Sequence, residues 1–315
     1  MPLYRSTATS RGIGHIANVA MALLAVLFPA KFATADASAP LPSVALYYGV
    51  TPPIDDLSRF DIVVLDPDAQ FNPRTQSVGH TKWYAYVSVG EVHPNRSYYK
   101  AIPKSWRPSQ NKAWASDVID QTAPGWPAFF VDKVVTPLWK KGYRGFFLDT
   151  LDSFQLIATT DAERAAQKDG LERVVRLMVR RYPQAKLIFN RGFEILPDVH
   201  SLVQMVAFES LYQGWNASEK RYVAVPQNDR DWLLGQVNKI REQYKIPIIA
   251  IDYCSIDNVN CRKETVIKIV QLGFIPYVTD GGLTSVGLGA ESVIEPVVVN
   301  KDVAFCHAAF FSSSG

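Results

Sequence analysis

The chain is poor in cysteine, with three in 315 residues. Cys254 and Cys261 lie seven apart in "CSIDNVNC", which is not the spacing of a zinc knuckle, and His80, His93, His200 and His307 are too scattered to gather a metal. The sequence therefore nominates no metal site. A dinucleotide fingerprint is missing as well. "YYGVTPP" (47–53) lacks the glycines that let backbone approach a pyrophosphate, and "DGGLTSVGLG" (280–289) has no Lys-Ser/Thr partner for a phosphate. No cofactor is implied. Excess charge is also absent. The formal +3 is carried by Arg5, Arg11 and Lys31, so the chain beyond residue 35 is balanced and offers no footprint for nucleic acid or an anionic membrane.

The first 35 residues do have the form of a secretory signal. Arg5 and Arg11 precede the apolar run "IANVAMALLAVLFP" (16–29), and the small residues "ATADASAP" (33–40) place cleavage near Ala35 or Ala37. The run is short of the roughly 20 residues a membrane span requires, so stable membrane insertion is not expected. Residues 36–315 are then expected as one domain, periplasmic or secreted. There Cys254 and Cys261 could close a small disulfide, leaving Cys306 over.

Eight short runs of apolar and aromatic residues follow: "VALYYG" (44–49), "IVVLDP" (62–67), "WYAYVSVGEV" (83–92), "GFFLDT" (145–150), "KLIFNRG" (186–192), "MVAFESLY" (205–212), "PIIAIDYC" (247–254) and "FIPYVTDGG" (274–282). Nearly continuous apolar character is what strands covered on both faces require. Helical spacing lies between several of them, over 161–182 with Asp161 as N-cap, 229–244 opening on Asp229, and 262–273. Strands alternating with helices over this length predict an α/β fold, a single-domain (β/α)8 TIM barrel.

In such a barrel the C-terminal strand ends converge on one mouth. Those ends carry Tyr47 and Tyr48, Asp66, Glu91, Asp149 and Asp152, Asn190 and Arg191, Glu209 and Tyr212, Asp252 and Tyr253, and Asp280. A mouth rich in acids suits either a compact metal site or glycoside hydrolysis, which needs a carboxylate on each side of the scissile bond. Trp83, Tyr86, Trp126, Tyr212, Trp215 and Tyr253 favour sugar, as candidate platforms for its faces. The expected pair is Asp149 and Glu209, ending the fourth and sixth runs, at the ~5 Å separation of a retaining mechanism. The residues alone do not say which attacks and which protonates. Asp152 is expected to cap the segment after its strand, and Asp66 and Asp68 to shape a turn around Pro67.

Taken together, "SVALYYGVTPPIDDLSRFDIVVLDP", "YAYVSVGEV", "GFFLDTLDSF", "FNRGFE", "AFESLY" and "IDYC" resemble glycoside hydrolase family 114, the endo-α-1,4-polygalactosaminidase group, and the related Pel-polysaccharide hydrolase domain. The resemblance runs from about Ser43 to Gly282. It implies a barrel without metal that cleaves within α-1,4-linked galactosamine and N-acetylgalactosamine polymers. By motif it makes Asp149 the nucleophile and Glu209 the acid/base, with Tyr47, Asp66, Glu91, Asn190 and Tyr253 lining the cleft. Tyr212, Asp252 and Asp280 complete the expected substrate-binding set. A related α-glycosidase for a different polymer, or a catalytically silent carbohydrate-binding barrel, would share the same pattern.

Overall fold

In the computed structural model of the chain, residues 41–292 are described. The expected signal and its cleavage point, Cys306 and His307 lie outside them. Eight of the strands form one parallel sheet: β1 (Val44–Tyr47), β2 (Ile62–Leu65), β3 (Lys82–Ser88), β4 (Gly145–Asp149), β5 (Lys186–Asn190), β6 (Met205–Glu209), β7 (Ile248–Tyr253) and β8 (Ile275–Thr279). They pair in sequence order, as expected for a (β/α)8 TIM barrel. β1, β2, β7 and β8 are buried at every position, which is why their sequences do not alternate.

The barrel is drawn together at β1 and β8 by side-chain and loop contacts instead of a regular ladder. The outer edge of β8 is occupied, because Val278 and Leu288 exchange both backbone hydrogen bonds at 2.9 Å. Tyr277, fully buried, spans the seam. Its hydroxyl donates to the Leu46 carbonyl at 2.8 Å and accepts from the Gly287 N–H at 3.0 Å.

Three long helices pack outside. α1 (Asp161–Arg181) begins with a capping box: Thr160 accepts from the Glu163 N–H, and the Glu163 carboxylate accepts from the Thr160 N–H. The N-cap is therefore Thr160, and Asp161 is a first-turn acid. α2 (Gln227–Tyr244) opens two residues before Asp229. α3 (Val259–Gln271) starts ahead of the expected 262 because the Asn258 side chain caps the Cys261 N–H at 3.0 Å. A fourth helical stretch, not anticipated from the sequence, runs without a break through Trp126–Phe130, the π-helical Val131–Val135 and Thr136–Lys141, while elsewhere the helical layer shrinks to single turns, as at Ile54–Leu57, Pro73–Gln76 and Leu196–Val199.

Two small antiparallel sheets stand on the barrel's C-terminal end. The run expected as one strand over 83–92 breaks at Ser88. Glu91–Val92 turns away to pair with Ser116–Val118, which also pairs with Ser109–Asn111. A hairpin of Gln213–Asn216 and Arg221–Ala224 follows β6. Cys254 and Cys261 are joined, tying the end of β7 to the first turn of α3.

Candidate active site

Five consecutive strands build the site. Asp149, Asn190 and Glu209 are the last residues of β4, β5 and β6, so their side chains stand side by side at the mouth. Asn190 is the middle one, and its Nδ2 donates to both neighbours, 2.8 Å to Asp149 Oδ1 and 2.9 Å to Glu209 Oε1. Only an amide nitrogen can serve two acceptors at once here, which fixes how the side chain is turned. One amide nitrogen within hydrogen-bond reach of both carboxylates brings the two acids together across β5. A phenol guards each outer flank: the Tyr86 hydroxyl of β3 donates to Asp149 Oδ2 at 2.7 Å, and that of Tyr253, ending β7, donates to Glu209 Oε2. The rim thus reads Tyr86, Asp149, Asn190, Glu209, Tyr253, with each carboxylate bonded by one phenol and a shared amide.

Burial raises the pKa of both acids. For Asp149 the hydrogen bonds from Tyr86, the Thr150 backbone and Asn190 pull the other way. For Glu209 the negative charge of Asp149 adds to burial, against Tyr253, Asn190 and the Arg191 charge. A like charge raises each as well, that of Asp152 for Asp149 and that of Asp149 for Glu209. Tyr48, the residue after β1, sets its ring 5.0 Å edge-on from Tyr86. Burial and then the charges of Asp149 and Glu209 drive its phenol far above the ordinary value.

Beneath Asp149 the chain is tightly fixed. Thr150 has φ 60°, and its Oγ1 accepts from the Gly90 N–H at 2.8 Å. The Asp149 carbonyl takes the Val89 N–H at 3.0 Å. Arg191 (φ 56°) donates to the Glu209 carbonyl at 2.8 Å and pairs with Asp152 at 3.7 Å. Asp152 makes no side-chain cap, contrary to expectation.

The other expected residues are placed differently. Glu91 is buried and its carboxylate is spent inside, accepting from Asn111 (2.9 Å), Ser153 (2.6 Å) and Ser116. It ties the three-stranded sheet to the loop after Asp149. Asp66 is gripped by both arms of the Arg96 guanidinium at 2.8 and 3.0 Å, and it shapes the expected turn by accepting from the Asp68 N–H. Asp252 is buried against the backbone after β6. Asp280 accepts the N–H groups of Gly282, Thr284 and Ser285 within its own loop. The Tyr212 ring faces Lys268 of α3 at 5.7 Å. Tyr47 turns to the Thr51 carbonyl, while Tyr48, on the opposite face of the strand, meets the acids. Trp83 and Trp126 are core, whereas Trp215 of the hairpin packs with Tyr222 at 4.8 Å and covers Gly281 beside β8. Among the described residues no cluster of three or more His, Cys, Asp or Glu is gathered for a metal.

Two carboxylates on the ends of alternate strands, bridged by the amide between them at the mouth of such a barrel, are the arrangement of one class, the carbohydrate-cleaving barrels. Within it the chain belongs to glycoside-hydrolase family GH114, whose model matches residues 29–295. The chain is thus a glycoside hydrolase. It is similar to the glycoside hydrolase domain of PelA from Pseudomonas aeruginosa, at 36% identity and a TM-score of 0.70, covering 78% of this chain and 97% of that one. Its likeness to Aspergillus fumigatus Ega3, solved in complex with galactosamine, is one of fold: 12% identity, a TM-score of 0.57, 78% of this chain and 94% of that one. No curated protein matches the chain.

Proposed function

We propose that the protein is an exported, endo-acting hydrolase of α-1,4 linkages in galactosamine- and N-acetylgalactosamine-containing polysaccharide, working by a retaining mechanism. The observation that supports the mechanism is the single Asn190 amide bonded to both carboxylates, which keeps the two acids close enough for the short separation, about 5 Å, that a double displacement uses. The Asp149 carboxylate attacks the anomeric carbon while Glu209 gives its proton to the leaving glycosidic oxygen, so that one C–O bond forms as the other breaks. Water then enters, Glu209 takes its proton, and the glycosyl ester is hydrolysed. The choice of polymer is supported by the ordered strand-end motifs and by the likeness to the PelA hydrolase domain. Export is supported by the signal-like first 35 residues and by a disulfide suited to an oxidising compartment.

The test is release of oligosaccharides from galactosamine-rich polymer by the exported protein, wild type beside Asp149→Asn and Glu209→Gln. Cleavage by wild type alone, with both variants still binding polymer, is the expected result. Binding without cleavage by all three would replace this reading with a carbohydrate-binding barrel. The N-terminal sequence of the secreted material checks processing near Ala35 or Ala37.

A further inference from the structure

Asp252 has no exposed surface, and it sits in β7 one residue before Tyr253. Its carboxylate accepts three successive backbone N–H groups from the segment just beyond Glu209: Leu211 on Oδ1 at 2.6 Å, then Tyr212 and Gln213 on Oδ2 at 2.7 and 2.9 Å. Successive amides aimed at one point make an anion-binding concavity, and here the anion is a side chain of the neighbouring strand. Burial pushes Asp252 up to about 6 in spite of those bonds, so the arrangement is costly to maintain. The cost falls beside Glu209 from two directions. The clamped backbone begins two residues after Glu209, and the residue after Asp252 is the tyrosine whose hydroxyl bonds to Glu209.

We infer that Asp252 is a positioning residue for Glu209: its carboxylate fixes the Leu211–Gln213 backbone so that Glu209 meets Asn190 and Tyr253 in the geometry proton transfer needs. This rests on the acid/base role proposed above for Glu209. A useful contrast is Asp61, which also accepts a backbone N–H and a hydroxyl, both from Ser43, at the opposite end of the barrel.

The experiment compares exported wild type, Asp252→Asn, Asp252→Ser, Asp61→Asn and Glu209→Gln on two substrates. One is galactosamine-rich polymer. The other is an aryl oligogalactosaminide whose leaving group departs without a proton. Loss of positioning should lower polymer kcat by about 10²-fold at a KM within about twofold, the scale of an ångström-level misplacement. On the aryl substrate kcat/KM should stay within about threefold of wild type, because no acid is called on. Asp61→Asn should lower Tm and leave both rates unchanged. Equal losses on the two substrates, or polymer kcat retained in either Asp252 variant, would overturn the inference. Failure of both Asp252 variants to fold would assign the residue to the fold and overturn it too. Undiminished cleavage by Glu209→Gln would instead overturn the acid/base assignment.

Discussion

A single amide in contact with two carboxylates makes the chemistry unusually sensitive to one side chain. Replacing Asn190 by Ala removes hydrogen bonds that hold down the pKa of both acids. The proposed mechanism needs Asp149 ionised and Glu209 protonated, so both limbs of the kcat profile should move to higher pH, with kcat itself reduced about 10²-fold. Steady-state kinetics across pH checks this. The same burial has a cost for the fold. Both pKa values are raised in the native state, so ionised Asp149 and Glu209 oppose folding as pH rises through those raised values, and the opposition vanishes below their ordinary 3.8 and 4.5. Glu209→Gln should therefore melt roughly 2–4 °C above wild type near pH 8 and lose that advantage towards pH 4, as calorimetry would show. Asp149 and Glu209 were legible in the sequence because an acid ending an apolar run has no packing rationale. Tyr86 stood out only as a candidate sugar platform; its bond to Asp149 was not legible, since it depends on the register that sets Ser88 beside Asp149. Tyr47 and Tyr48 differ by one residue, and without a known inward face the choice between them is blind.

At the scale of elements, the exit of β4 is held by how closely two backbones meet. A Cβ on Gly90 would come within 2.0 Å of the Thr150 carbonyl, and Thr150 directly follows Asp149. Gly90→Ala should cost about 1–3 kcal/mol and lower kcat as the carboxylate shifts, which thermal melting and polymer assays together would detect. The eight strands and three long helices were readable because buried parallel strands and amphipathic helices write strong periodic signals. The three-stranded sheet was not readable. Its strands are two or three residues long and polar, and what holds them in place is the hydrogen bonding of buried Glu91, a contact distant in sequence. That buried acid looked like a strand-end ligand for the same reason Asp149 did.

For the molecule as a whole, the seam has no regular ladder and rests on individual hydrogen bonds. Tyr277→Phe removes one hydroxyl that serves both Leu46 and Gly287, leaving a buried carbonyl and a buried N–H unpaired, and should cost about 1–3 kcal/mol in denaturant unfolding with the site chemistry intact. How the barrel would join its first strand to its last was absent from the sequence reading, because it depends on a phenol aimed across the gap at the Leu46 carbonyl and on the Tyr48 N–H reaching the Leu283 carbonyl at 2.7 Å. The closing strand also comes near the end of the described chain. A polypeptide emerging from synthesis or from an export channel has β1 available early, but the partner that covers that edge is not present until β8 and Leu283 have appeared. Until then both flanks of the growing sheet carry unpaired backbone, the condition under which chains associate with each other. Closure therefore sets a minimum length for a soluble product, so chains cut short before residue 275 should collect as aggregates instead of as a smaller working hydrolase.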